Sequence, residues 1–155
     1  MGILIDRSTR VLVQGITGRE GSLRARYMKD YGTHVVAGTS PGKGGSEVHG
    51  VPVYDTVAAA LAVEGRVDFS VTFVPGRALL PAIEEAADAG VPILVACVES
   101  VPIQDIMVMV EYCRDRGTRL IGRIAVLQLR YRLTVYRCHP QTRLRESDSL
   151  VDGRA

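Results

Sequence analysis

The chain has 155 residues, of which 46% are hydrophobic, and a formal net charge of +2, a composition that favours one globular domain whose core needs no disulfide or metal ion. Its three widely spaced cysteines, Cys97, Cys113 and Cys138, argue against a disulfide framework and a CxxC metal site and suit a reducing compartment. Because no basic and apolar leader precedes the first predicted strand, and no apolar run approaches the roughly 20 residues of a membrane span, we expect a soluble cytoplasmic protein.

Strands and helices are predicted to alternate along residues 1–122. Runs rich in β-branched residues predict strands at 10–14, 33–39, 67–74, 92–98 and 118–122. Helical runs separate these strands at 19–30, 56–63, 76–89 and 103–116. Since right-handed crossovers leave few arrangements for this order, the pattern predicts a Rossmann-like, doubly wound α/β fold with a mainly parallel sheet and helices on both faces. The nearly continuous apolar run at 92–98 favours a central strand covered on both faces.

Several residues mark the ends of the predicted helices. A glycine follows each helical run, at the position where a left-handed residue commonly ends a helix: Gly32, Gly65, Gly90 and Gly117. Asp55 or Thr56 is placed to cap the second helix, and Pro102 suits the start of the fourth. The segment 39–56 interrupts the pattern with many glycines, which favours a functional loop rather than a helix or strand.

Three glycines, Gly15, Gly18 and Gly21, follow the first predicted strand. Glycines at this place allow a sharp turn, admit a phosphate to backbone N–H groups and set it against a helix N-terminus. The spacing G-x-x-G-x-x-G differs from the common dinucleotide fingerprint G-x-G-x-x-G. We expect a phosphate site here, to which the Thr17 hydroxyl adds a donor, although a tight turn can use the same glycines for packing alone.

The end of the second predicted strand narrows the choice of ligand. A nicotinamide dinucleotide site normally has an acidic residue there, which binds the ribose hydroxyls. In this sequence the first acidic residue after the start of the second predicted strand is Glu47. Lys43 lies instead between two glycines, which suits a second phosphate. Coenzyme A, with its 3′-phosphate, and NADP, with its 2′-phosphate, both fit. The alternative is that Lys43 is a solvated surface lysine, as most lysines are.

The sequence resembles the N-terminal CoA-binding domain of the succinyl-CoA synthetase (succinate–CoA ligase) α subunit. The resemblance covers residues 1–122 and is carried by "MGILIDRSTRVLVQGITGREG", "GTSPGKGG", "GVPVYDTVAAA", "FVPGRALLPAIEEAADAGVPILVACVESVP" and "RLIG". It implies a domain that binds CoA through Thr17, Gly18, Arg19, Glu20, Lys43, Cys97, Val98 and Glu99. Arg19 and Glu20 stand where the family has variable polar residues, so we expect only their backbone to matter. Cys97 replaces a hydroxyl-bearing or aliphatic residue, and we expect no nucleophilic role for it.

The resemblance also implies a reaction and a partner. The intact family forms succinyl-CoA from succinate, CoA and ATP or GTP in the tricarboxylic acid cycle, through an acyl phosphate, with a nucleotide-binding β subunit. Its phosphorylated histidine lies in a second domain of the α subunit. The three histidines here, His34, His49 and His139, lack the setting of that residue. We therefore predict no catalytic residue and no turnover by this chain alone. The alternatives are a stand-alone CoA-binding module and a fragment of an NADP-dependent reductase, although 155 residues leave no room for a reductase substrate domain.

Residues 123–155 depart from the family, which continues after the equivalent of Gly122 as "PNCPG". The codons CCG-AAT-TGC for Pro-Asn-Cys, read one nucleotide later, give Arg-Ile-Ala, the residues at 123–125. We therefore expect a frameshift and a separate basic tail, with 7 arginines against 3 acids. Alternating apolar residues at 127–135 predict an amphipathic strand with an association-prone edge. The tail lacks an aromatic stacking platform, so we expect no nucleic-acid partner.

Overall fold

A computed structural model describes residues 6–98 and 101–122. The strands are β1 (Val11–Gln14), β2 (Val35–Thr39), β3 (Glu47–Val48), β4 (Val51–Tyr54), β5 (Phe69–Thr72), β6 (Ile93–Ala96) and β7 (Arg119–Gly122). The helices are α1 (Arg19–Asp30), α2 (Val57–Glu64), α3 (Leu79–Asp88) and α4 (Ile103–Asp115), and a single 3₁₀ turn, Gly76–Ala78, precedes α3. Glu99 and the predicted strand at 127–135 lie outside the described residues.

The strands form one sheet in the order β3-β4-β2-β1-β5-β6-β7. Every pairing is parallel except that of β3 with β4. The chain reverses its direction of travel across the sheet at β1, which lies between β2 and β5. In a doubly wound sheet, ligands bind outside the carboxyl ends of the strands at such a reversal. The predicted fold class is confirmed, and the topology places the candidate site beyond Gln14.

The core lies mainly between the sheet and helices α2, α3 and α4. Leu12, Ile83, Leu94 and Met109 are fully buried there, and each such side chain contributes about 1.5 to 3 kcal/mol through removal from water. Helix α1 packs on the opposite face through Ala25. In strand β6 only alternate residues are fully buried, so the expectation of full cover on both faces was wrong: Ile93 and Val95 are only partly buried, against Val11, Phe69 and Val71.

The segment 39–56 contains two strands that the sequence analysis did not predict. Strand β4 pairs with β2 through Gly38 with Val53 and Thr39 with Tyr54, and Val51 and Val53 are buried. The short antiparallel strand β3 then closes this edge of the sheet. The prediction of an irregular loop was therefore wrong for 47–54, because alternate burial of two valines is sufficient to extend the sheet.

The predicted helix ends agree with the structure. Each glycine expected to end a helix has a positive φ, between 69° and 90°. Thr56 caps α2 by accepting a hydrogen bond from the Ala59 N–H at 3.1 Å, and Pro102 precedes the first residue of α4. None of the helices in the described ranges has the length and apolar character needed to cross a membrane.

Candidate functional site

Two of the three glycines in the first βα turn, Gly15 and Gly21, are required by close packing. Gly15 has a φ of 79°, and a Cβ at Gly21 would lie 2.1 Å from the Gly15 carbonyl oxygen. Gly18 precedes α1 in an extended conformation, and no side chain caps the helix. The first N–H groups of a helix have no partner inside it, so this turn presents backbone donors and a positive helix end to an anion.

A buried network of polar side chains lies at the end of β1, directly before the turn. Gln14, the last residue of β1, is 2% exposed. Its side-chain oxygen accepts hydrogen bonds from the hydroxyls of Ser70 and Thr72, both at 3.1 Å, and its Nε2 donates to the Ala82 carbonyl at 2.8 Å. The network fixes β1, β5 and α3 relative to one another. Gln14 was not among the residues predicted from the sequence, although a polar residue at the end of an apolar strand is a signal for such a role.

The second loop packs directly against the first turn. The Thr17 hydroxyl donates to Ser40 Oγ at 2.8 Å, and the Thr17 N–H donates to the same atom at 3.3 Å. Beyond Ser40 the loop is held by the Gly44 N–H, which donates to Asp55 Oδ1 at 2.9 Å. The Lys43 side chain is exposed. Thr17 therefore connects the two loops. The sequence predicted its hydroxyl as a donor to a ligand and did not predict this connection.

One cavity beside α1, here called the arginine pocket, has a volume of about 580 Å³. It is lined by Thr17, Gly18, Arg19, Ser22, Leu23, Arg26 and His49. Two arginines and a histidine face this space, and no carboxylate lines it. The pocket is therefore suited to an anion.

A second and larger cavity, here called the apolar groove, has a volume of about 1060 Å³. Five of the predicted CoA contacts line it: Gly18, Arg19, Glu20, Cys97 and Val98. Its apolar wall is formed by Tyr27, Met28, Tyr31, Phe73, Val74 and Pro75. The structure thus brings the start of α1 and the end of β6 to one groove, whereas Lys43 lines neither cavity and Glu99 lies outside the described residues.

The two described residues after β6 differ in what they offer a ligand. Cys97 is a free, exposed cysteine, and its backbone N–H donates to the Thr72 carbonyl at 3.3 Å. Partial desolvation raises the pKa of its thiol, against a smaller lowering by Arg24, so the thiol stays protonated near neutral pH and is a poor nucleophile. The Val98 side chain is buried in the main core, which leaves its backbone for contact.

The order of the parallel strands and the helices on both faces of the sheet define an α/β domain of the Rossmann type. The chain belongs to the CoA-binding domain family, whose profile matches residues 6–100.

Two relatives are named succinate–CoA ligase (ADP-forming) α subunits. The subunit alpha 1 of Archaeoglobus fulgidus is 50% identical over 122 residues, which are 79% of this chain and 42% of that protein. The Aquifex aeolicus subunit is 48% identical over 124 residues, with 79% of this chain and 40% of that protein covered. The chain thus spans less than half the length of these relatives.

Among solved structures, ATP citrate lyase from Methanothrix soehngenii, in complex with citrate and coenzyme A, matches 80% of this chain and 22% of its own chain. The TM-score is 0.66 and the sequence identity is 22%. At this sequence identity the match supports only the Rossmann-like fold of the chain.

Proposed function

We propose that this chain provides the CoA-binding part of an ADP-forming succinate–CoA ligase α subunit. The observation that carries the proposal is the apolar groove, where the start of α1 and the end of β6 converge in a chain of the CoA-binding family. The names of the two α-subunit relatives supply the reaction class.

Two parts of CoA, the diphosphate and the pantetheine arm, have a matching surface in this proposal. The backbone N–H groups at Gly18, Arg19 and Glu20 bind the diphosphate at the start of α1. The apolar wall of the groove takes the pantetheine arm and leads it toward Cys97 and Val98. Thr17 and Lys43 belong to the same site through the contact of Thr17 with Ser40. Glu99 completes the set as a residue carried over from the family motif.

The proposed reaction needs groups beyond this domain. The CoA thiol would attack the acyl carbon of succinyl phosphate, so that the thioester forms and phosphate leaves. The phosphorylated histidine and the nucleotide-binding β subunit would be supplied elsewhere. The two described histidines do not fit that role: His34 precedes β2 at the end of the sheet away from the site, and His49 is hydrogen-bonded to Ser22. The free and exposed Cys97 suits a reducing cytoplasm.

We further propose that residues 123–155 form a tail that does not belong to the CoA-binding domain. The relatives match over 122 to 124 residues, and the predicted frameshift explains the change of sequence after Gly122. Sequencing of the locus tests this idea. A downstream, out-of-frame stretch encoding the rest of an α subunit is expected, and an intact frame with no such stretch would contradict it.

Isothermal titration of the purified chain with CoA and with NADP tests the proposed function. We expect a dissociation constant for CoA in the micromolar range, about −8 kcal/mol, and at least tenfold weaker binding of NADP. Preference for NADP would favour a reductase fragment, and binding of neither ligand would contradict a nucleotide site.

A further inference from the structure

We propose that Asp55 is a positioning residue for Lys43. Its carboxylate holds residues 40–46, here called the lysine loop, in the conformation that presents the lysine side chain. The inference rests on the proposed function, in which Lys43 contacts CoA. It adds a residue that acts on the ligand through the loop.

The carboxylate of Asp55 is not used by helix α2, although Asp55 and Thr56 were both candidates for its cap. Thr56 caps the helix by accepting from the Ala59 N–H. Asp55 turns instead to the lysine loop, where its Oδ1 accepts a hydrogen bond from the Gly44 N–H at 2.9 Å. A Cβ at Gly44 would lie 2.6 Å from Asp55 Oδ2 and 2.8 Å from its Cγ. The carboxylate therefore fits against the loop because residue 44 is a glycine.

The backbone of Lys43 is held at both of its polar groups. Its N–H donates to the Ser40 carbonyl at 3.1 Å. Its carbonyl accepts from the Ser46 N–H at 3.2 Å and from the Ser46 hydroxyl at 2.6 Å. The bond from Gly44 to Asp55 fixes the next N–H along the chain. Removal of the Asp55 carboxylate would thus free the backbone directly beside the lysine.

The Lys43 side chain is exposed, and no carboxylate of residues 6–98 and 101–122 forms an ion pair with it. A ligand that binds a mobile loop must first order it, and this ordering reduces the affinity. A loop that is already held by Asp55 avoids this loss. The structure therefore keeps the backbone of Lys43 fixed and its ammonium group available.

Cleavage by endoproteinase Lys-C tests the hold on the loop, because this enzyme cuts after lysine and the chain has two lysines, Lys29 and Lys43. Cleavage requires local opening of the backbone, so its rate follows the population of the open loop. We expect Asp55→Ala to raise the rate at Lys43 about fivefold, the effect of one exposed hydrogen bond to a charged group. The rate at Lys29, on α1, should not change.

Three further variants identify the contact. Gly44→Ala places a methyl group where the carboxylate lies and should raise the rate at Lys43 as Asp55→Ala does. Asp55→Asn keeps an oxygen that accepts from the Gly44 N–H and should restore most of the wild-type rate. Asp115→Ala removes another exposed carboxylate, at the end of α4, and should leave both rates unchanged.

Calorimetric titration with CoA shows whether Asp55 acts through Lys43. Asp55→Ala should weaken CoA binding about fivefold when Lys43 is present. In the Lys43→Ala background the same substitution should have no further effect, because the side chain that the loop positions is absent.

Three results would overturn the inference: an unchanged rate at Lys43 in Asp55→Ala, no rescue by Asp55→Asn, or a loss of CoA affinity that persists in the Lys43→Ala background. Faster cleavage at both lysines would also overturn it, since Asp55 would then stabilise the whole domain. If the wild-type chain does not bind CoA, the proposed function fails, whereas the cleavage rates still decide whether Asp55 holds the loop.

Discussion

Gly21 determines how closely α1 approaches the first turn. A Cβ at this position would lie 2.1 Å from a backbone oxygen and 2.8 Å from the backbone carbon of Gly15. No rotation of a side chain can relieve such a contact, since both partners are main-chain atoms. The third glycine of the motif is thus required by packing whether or not a ligand is bound, whereas the helix start it positions is what a ligand would use.

Gly21→Ala should therefore move α1 and weaken CoA binding more than tenfold, because the backbone donors no longer converge. Calorimetric titration gives the affinity, and thermal unfolding gives the accompanying loss of stability. Gly90→Ala is the control, since Gly90 has a positive φ of 78°, which an alanine strains, but no atom within 4 Å of an added Cβ. It should lower the melting temperature and leave the CoA affinity unchanged; an equal loss of affinity in both variants would contradict a local effect.

Replacing Gln14 with leucine should destabilise the fold by about 3 kcal/mol, because it leaves the buried hydroxyls of Ser70 and Thr72 without their acceptor. Urea denaturation measures the change. Ser70→Ala in the Gln14→Leu background should recover part of the loss, since it removes one unpaired hydroxyl. Additive losses in the double variant would contradict the network.

Local sequence signals identified most of the secondary structure but not the strands β3 and β4. The long helices carry glycines at their ends, and β1, β2, β5, β6 and β7 lie within predicted runs. Strand β4 has only Val51 and Val53 on its buried face, with exposed Pro52 between them, a pattern too short to separate from a loop. The left-handed backbone of His49 was not predictable either, because contacts from Lys29 and Ser22 impose it.

The residue before strand β5, Asp68, has a carboxylate that stabilises the fold when it is ionised. Asp68 accepts hydrogen bonds from the Arg10 N–H at 3.0 Å and from the Arg66 side chain, and these bonds, the backbone bond foremost, hold its pKa below the ordinary value despite opposing desolvation. A lowered folded-state pKa means that the carboxylate stabilises the fold above about pH 4, the unfolded value. This contribution is lost as the pH falls through the folded pKa.

Asp68→Asn should lower the free energy of unfolding by about 1 kcal/mol at pH 7. This value is in the low part of the range for hydrogen bonds to a charged group, because water reaches the carboxylate. The difference from wild type should shrink as the pH falls below about 4. Chemical denaturation at several pH values tests both points. Glu111→Gln, at an exposed carboxylate on α4, is the control. A difference between Asp68→Asn and wild type that grows on acidification would contradict the assignment.

Within the described residues, the helices cover the two faces of the sheet unequally. Helices α2, α3 and α4 pack on one face of the sheet, while α1 is the helix on the other face within the described residues. The apolar groove lies where that second face is open, between α1 and the ends of β5 and β6. The sequence predicted which segments meet there, since carboxyl ends of parallel strands share one edge. It did not predict the separate arginine pocket, which depends on the turn after β3.

Alkylation of Cys97 in the presence of a CoA analogue tests the placement of the ligand most directly. Desulfo-CoA avoids consumption of the reagent by the CoA thiol, and peptide mass spectrometry follows each cysteine separately, with Cys138 as an internal reference. At saturation we expect the rate at Cys97 to fall about tenfold, in proportion to the fraction of free sites, and the rate at Cys138 to stay constant. If desulfo-CoA binds and Cys97 reacts at its original rate, the ligand does not occupy the groove and the central claim is wrong.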